Sequence, residues 1–294
     1  MAKQYEFPTK GLPYLLVLPQ MIIVIIFFFW PSAQAIKQSF FLQDPFGGKT
    51  IFVGFENYTK LFADPDYWAS FKVSVAFAVS ITLSAMAIAL FLAAQANKGV
   101  RFGSFYKTML IWPYAVATMI AGVLWLFVFN PNVGIIAWFL KHRFGIEWNY
   151  LLDSGQAFLL LTIAASWKQI AYNFVFFLAG LQSVPAQFVE AAAIDGASPF
   201  TRFWRIIFPL LSPTTFYLLV MNLVYGFFET FPVIHQVTNG GPGKSTSILV
   251  YKVWRDGVIN LDLGSSSAQS VVLMILVIGL TVVQFRFIER KVTY

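Results

Sequence analysis

The sequence predicts an all-α, polytopic membrane protein: six transmembrane helices in a single domain spanning residues 1–294, with one long helical loop on the cytoplasmic side. Three observations predict it. Of the 294 residues, 58% are hydrophobic and only 11% are charged, where a soluble domain carries about 25% charged residues. Six apolar runs recur, each about the 20 residues needed to cross a hydrocarbon core. Lys and Arg crowd beside alternate ends of those runs. A soluble core could not hide this much apolar surface, as the mean hydropathy of +0.70 indicates, and disorder requires low hydrophobicity.

The first run extends from about Leu12 to Ala35. Lys3 and Lys10 before it and Ala33-Gln34-Ala35 after it resemble a secretory signal with its cleavage site. The stretch from Leu12 to Trp30 is long for such a segment, and bulky Phe27-Phe28-Phe29-Trp30-Pro31 sits just upstream of the small residues, so a retained helix is expected. The second run covers Phe71–Gln95, with Ala85, Ala89 and Ala93 in a stripe suited to close helix packing. The third covers Thr108–Phe129. The fourth covers Gln156–Leu181 and is interrupted by Lys168 and Gln169. The fifth covers Leu210–Ile234, with Glu229 near its end, and the sixth covers Ser267–Phe287. Continuous runs favour helices over barrel strands, which alternate over about 10 residues.

Six spans leave both termini on one side. The segments on that side carry ten basic residues, Lys3, Lys10, Lys98, Arg101, Lys107, Arg202, Arg205, Arg286, Arg290 and Lys291, against eight in the longer opposite loops. Basic density is roughly twofold higher beside the termini, which places both ends in the cytoplasm. The net charge of +7 then reflects loops held near anionic membrane lipid rather than a nucleic-acid partner.

Several chemistries are excluded or weakened. With no cysteine there is no disulfide, thiolate metal site or cysteine nucleophile. His142 and His235 are the only histidines, and no metal or cofactor is expected on the chain. Thr238-Asn-Gly-Gly-Pro-Gly-Lys-Ser245 imitates the end of a phosphate-binding loop, but Thr238 replaces the opening glycine and Pro242 removes one of the N–H groups such a loop presents. A turn in an outer loop is the better reading. Asn57-Tyr58-Thr59 fits a glycosylation sequon. A membrane-embedded enzyme would need clustered acid, base or metal groups; the pairs Asp64/Asp66 and Glu190/Asp195 do not supply them.

The loop from Ser183 to Pro209 carries the clearest local code. Pro185 suits a first helical turn, the helix runs through Glu190-Ala191-Ala192-Ala193, and Gly196 is placed to end it. Ser198 caps a second helix that begins at Pro199 and is expected to end before Pro209. Glu190-Ala191-Ala192, three residues, Gly196, nine residues, then Ile206-x-x-Pro209 resembles the EAA loop of ABC importer permeases, with Phe208 where that pattern has Leu. The resemblance implies that the loop docks on a separate ATPase subunit and moves with it. Glu190 and Gly196 are then the key coupling positions, and Ala191, Ala192, Asp195 and Pro209 complete the motif.

Further segments extend the likeness over nearly the whole chain: Leu12–Pro19, Trp112–Ala117, Phe129-Asn-Pro131, Trp167–Phe174 and Phe228–Ile234 resemble carbohydrate-type permeases, most of all the glycerol-3-phosphate branch. The resemblance implies a multi-pass subunit of the bacterial inner membrane that forms half of a pathway for sn-glycerol-3-phosphate and glycerophosphodiesters such as glycerophosphocholine. Its implied partners are a homologous second permease, two copies of an ATPase that hold ATP and Mg, and an extracytoplasmic binding protein. A permease for neutral mono- or oligosaccharides is the near alternative. An ion-coupled secondary transporter is the alternative from another class; it would show internal repeats and paired charges, and the EAA-like loop has no place in it.

Polar residues within the spans are the candidates for the pathway, because each costs energy in lipid. They are Lys168, Asn173, Asn222, Glu229 and Tyr114. Lys168 suits a phosphate, whereas Glu229 repels one unless it is paired. Equally open at this point, Asn173 and Asn222 bond helices together, and Lys168 and Glu229 form a structural ion pair.

Overall fold

The computed structural model describes residues 11–43, 48–99 and 102–291, with side chains as far as Arg286. Lys3, Lys10 and Arg101 lie outside the described residues, as do the side chains of Arg290 and Lys291. In chain order the elements are α1 (Leu12–Gln38), the strands β1 (Phe41–Gln43) and β2 (Thr50–Phe52), α2 (Glu56–Ala63) and α3 (Pro65–Ala96). Next come α4 (Gly103–Ile111), a 3-10 turn at Trp112–Ala115, α5 (Thr118–Val128) and α6 (Ile135–Phe144). They are followed by α7 (Ser154–Ser183), α8 (Ala186–Ile194), α9 (Pro199–Leu210) and α10 (Ser212–Glu229). The chain closes with α11 (Phe231–Val237), α12 (Leu249–Trp254) and α13 (Leu263–Lys291). Three of these helices, α1, α3 and α13, are long and apolar enough to cross a membrane by themselves; counting each bent helix pair as one span raises the number to six.

The chain forms two compact units. The first holds the residues up to Asp64 together with Val253–Met274. Its strands pair antiparallel, Phe41 with Phe52 and Gln43 with Thr50. The Asn57 side chain is buried and donates to the carbonyls of Ser39 (2.8 Å) and Phe41 (3.1 Å). Gly264 lies against the same point: a Cβ there would sit 2.5 Å from the Phe41 carbonyl oxygen. The sequon at Asn57 is therefore a structural tie, with its amide used up inside the fold.

The second unit holds Pro65–Lys252 and the chain from Ile275 onward. Its core is α3 packed along α7. Ser74, Phe77, Ala78, Ile81, Ala85, Ala89 and Ala93 form one buried stripe of α3 at helical spacing. Ser84 and Ser166 bridge the two helices by a 2.8 Å hydroxyl contact, and Phe77 meets Phe158 edge to face. The small residues let backbones approach, most closely where Gly226 of α10 meets α3: a Cβ on Gly226 would lie 2.6 Å from the Ala78 Cα. Gly226→Ala is expected to cost about 1–3 kcal/mol through overpacking, checked as a lowered thermal unfolding midpoint of the detergent-purified complex.

Prolines explain where the helices depart from the sequence-based expectation. The third run is not one continuous helix. Pro113 supplies no N–H and crowds the carbonyl four residues back; the chain tightens into the 3-10 turn, passes through extended Val116 and Ala117, and restarts at Thr118, so that α4 and α5 meet at 104°. At three other prolines the chain widens the turn ahead of the ring, whereas Pro19 sits inside α1 without such a turn. π-helical turns at Ile25–Phe29, Phe203–Ile207 and Tyr225–Glu229 precede Pro31, Pro209 and Pro232. A wider turn moves away the carbonyl that the ring would strike. For this reason α9 runs through Pro209 to Leu210, where the sequence predicts its end before Pro209. The fifth run divides at Thr230 into α10 and α11.

Candidate functional site: a membrane-depth cation and the α8–α9 loop

The break between α4 and α5 places Thr118 opposite Lys168 of α7. The Lys168 ammonium donates to Thr118 Oγ1 at 2.9 Å. An aromatic wall runs from Trp167 and Tyr172 of the same helix. Trp167 meets Trp112 (6.0 Å) and Trp125 (5.9 Å) edge to face. Tyr114 stacks on Tyr172 at 5.8 Å, and Tyr172 shares a 3.0 Å hydroxyl contact with Tyr217 of α10. Lys168 is half-buried, whereas Tyr114 and Glu229 are exposed. No ion pair joins Lys168 and Glu229 among the described residues. The group is thus an ammonium with donor capacity to spare, on a helix that also carries the aromatic wall. Such a surface suits a small anion with hydroxyl groups.

Asn173 and Asn222 are placed differently. Each is fully buried and each donates its amide to the other, at 3.0 and 2.7 Å, while Asn222 also donates to the Leu218 carbonyl. In this conformation they face each other rather than an opening. Thr118, Trp112 and Tyr217 belong to the wall and were not selected from sequence. Pro113 is the signal that could have exposed the first two, since it marks the break; nothing in the sequence singles out Tyr217.

The second assembly is the loop between α7 and α10. Pro185 leads into α8, whose end is a complete Schellman turn. Gly196 sits at φ +79°, its N–H bonds the Ala193 carbonyl, and the Ala197 N–H bonds the Ala192 carbonyl at 2.9 Å. Asp195 is the residue between helix and glycine. Ser198 Oγ then accepts from the Thr201 N–H at 3.2 Å to start α9. Ser198→Ala is expected to cost about 1 kcal/mol of local helix stability, visible as faster amide exchange over Phe200–Arg202. The surface is apolar and open: Ile194 is 87% exposed, Phe188 and Phe200 are exposed, and Glu190 points outward among them. Phe188, Arg205, Ile206, Pro209 and Leu210 line a groove of about 230 Å³. Apolar side chains left uncovered on a short loop mark a surface for contact with protein or membrane.

The glycine-rich turn at 238–245 has no such openness. It follows a helix rather than a strand. Thr246 Oγ1 bonds the Gly241 carbonyl, Tyr251 Oη bonds the Asn239 carbonyl, and Lys244 pairs with Asp66 at 2.6 Å. The lysine that a nucleotide would need is held in a salt bridge, which agrees with a turn.

The family profile described as the binding-protein-dependent transport system inner membrane component matches residues 85–294. The chain is 57% identical to the sn-glycerol-3-phosphate transport system permease protein UgpA of Rhizobium meliloti (strain 1021), over 98% of both chains. It is also 57% identical to the protein of that name from Brucella abortus biovar 1 (strain 9-941), over 99% of both, and 53% identical to that from Pectobacterium atrosepticum, over 98% of this chain and 97% of that one. Among solved structures, a bacterial ABC transporter involved in the import of the acidic polysaccharide alginate shares the fold with a TM-score of 0.82, at 19% identity over 96% of each chain. The exposed helical loop, the broken span and these likenesses agree: the chain belongs to the family of binding-protein-dependent transport system inner membrane components.

Proposed function

We propose that this chain forms half of the translocation pathway of an ATP-driven importer for sn-glycerol-3-phosphate and for glycerophosphodiesters such as glycerophosphocholine. The observation that carries the proposal is the near full-length identity to permeases named for sn-glycerol-3-phosphate transport. Lys168 supports it physically, as a cation at membrane depth whose single side-chain partner among the described residues is a hydroxyl. In this scheme both termini are cytoplasmic, a homologous second permease completes the pathway, and an extracytoplasmic binding protein delivers the solute. Two copies of an ATPase hold ATP and Mg and receive the α8–α9 loop, with Glu190, Ala191, Ala192, Asp195, Gly196 and Pro209 forming or supporting the contact. This chain catalyses no step; it converts the closure of its partners into displacement of its own helices.

The test is ATP-dependent uptake of labelled sn-glycerol-3-phosphate into vesicles holding the complete complex and its binding protein. Excess unlabelled glycerophosphocholine is expected to suppress uptake, and maltose to leave it unchanged. Inhibition by maltose instead would assign the pathway to a neutral sugar.

A further inference from the structure

We propose that α7, the α8–α9 loop and α10 form a single lever, held rigid by the Asn173–Asn222 pair, that delivers motion of the loop to the Lys168–Thr118 contact. This rests on the proposed docking role of the loop. Three contacts join α7 to α10. Nearest the loop, Gly180 lies so close to α10 that a Cβ there would sit 2.9 Å from Leu211 Cδ2 and 3.7 Å from Thr214 Cβ. Further along, the two asparagine amides exchange hydrogen bonds in a fully buried position. Beside them, the Tyr172 and Tyr217 hydroxyls meet at 3.0 Å.

The asparagine pair is the directional part of this arrangement. Apolar contacts tolerate sliding, since a displaced methyl group finds another. A reciprocal amide pair is satisfied at one register only, and a slip would leave buried donors and acceptors unbonded. The pair therefore fixes α7 axially against α10. Lys168 lies on α7 five residues before Asn173, on the side away from the loop. Its partner Thr118 begins α5, beyond the break in the third run. A displacement of the loop that moves α7 and α10 together must then appear where Lys168 meets Thr118. Asn173 and Asn222 are accordingly positioning residues, and Lys168 is the load at the far end.

The chain contains no cysteine, which permits a clean test. The 3.7 Å separation at Gly180 and Thr214 matches the Cβ spacing of a disulfide, about 3.5–4.5 Å. In the reconstituted complex with its binding protein, Gly180→Cys/Thr214→Cys is expected to form a disulfide on oxidation and to transport labelled sn-glycerol-3-phosphate equally well oxidised or reduced. Failure to close the disulfide, or loss of uptake that reduction restores, would show that the helices slide past each other and would overturn the lever. Asn222→Ala is expected to lower solute imported per ATP hydrolysed about tenfold, and the disulfide placed in the same chain is expected to restore that ratio. A merely structural asparagine would change the amount of folded complex without changing the ratio. An unchanged ratio, or a lowered one that the disulfide leaves low, also overturns the proposal. Glu190→Ala reports separately on the docking reading: if binding-protein-stimulated ATP hydrolysis survives it intact, that reading fails whatever the disulfide shows.

Discussion

Glu190→Ala is expected to yield a folded, membrane-inserted complex with little ATP-coupled uptake. Glu190 is exposed on α8 and makes no hydrogen bond or ion pair among the described residues. Its removal therefore takes nothing from the fold, and the stability change should stay within about 0.5 kcal/mol, as for other unengaged surface positions. Within a covered interface the same carboxylate would be desolvated and hydrogen-bonded, where truncation costs about 2 kcal/mol or more. That loss corresponds to at least about 30-fold in a docking or coupling equilibrium. Stimulated ATP hydrolysis and uptake, measured on vesicles holding equal amounts of complex, check this. Gly196→Val should give the same phenotype by a different route. The residue sits at φ +79°, a region that a β-branched side chain enters only with strain, so the turn that aims α8 would be lost although Gly196 has open space around its Cα. Retained coupling in both variants would remove the loop from the transport cycle.

Lys168→Met is expected to reduce uptake of sn-glycerol-3-phosphate by about 10- to 100-fold, the loss of roughly 1.4–2.8 kcal/mol of a charge-assisted contact. Methionine keeps most of the side-chain stem and removes only the charge. A lysine at the centre of a membrane helix costs about 2.5–3.5 kcal/mol on insertion scales, so the variant should be at least as stable as the parent. Loss of transport together with unchanged or improved stability identifies a group kept for function. Loss of both in parallel would identify Lys168 as a tie between α7 and α5 through Thr118. Lys168→Arg, which keeps the charge but alters its geometry, should retain part of the uptake. Substrate affinity in the separate binding protein is unaffected by either variant, so the defect should lie in the rate of import and not in solute capture.

The loop at 183–209 was legible because its instructions are local. Pro185, Gly196 and Ser198 act on backbone groups within four residues; the structure uses Gly196 and Ser198 as the sequence implies, as left-handed exit and cap, while Pro185 stands just ahead of the first turn, extended, and leads into it. The error in the same segment, ending α9 before Pro209, came from applying the steric rule for proline without its remedy. A five-residue π turn relieves the clash, and whether it forms depends on neighbours that hold the helix in line. The third run shows the opposite outcome. Pro113 does break the helix there, and the break keeps some of its backbone bonded: the Val116 N–H donates to the Pro113 carbonyl at 3.2 Å and the Ala117 carbonyl accepts from the Ala121 N–H at 3.0 Å, as a span in lipid requires.

By itself the sequence determined the class of the molecule, the number and order of its apolar runs and the form of the α8–α9 loop. These follow from composition, from the thickness of a bilayer and from contacts between near neighbours in the chain. Only the tertiary structure decided how the polar residues inside the runs are used. Asn173 finds Asn222, and Lys168 finds Thr118, across separations of 49 and 50 residues, while Glu229 remains outside any ion pair among the described residues. A helix that is apolar on every side carries little record of which face turns inward. Its rotation is set by the fit of Ala85, Ala89, Ala93, Gly180 and Gly226 against neighbouring helices, and that fit sets the two asparagines against each other and Lys168 against Thr118.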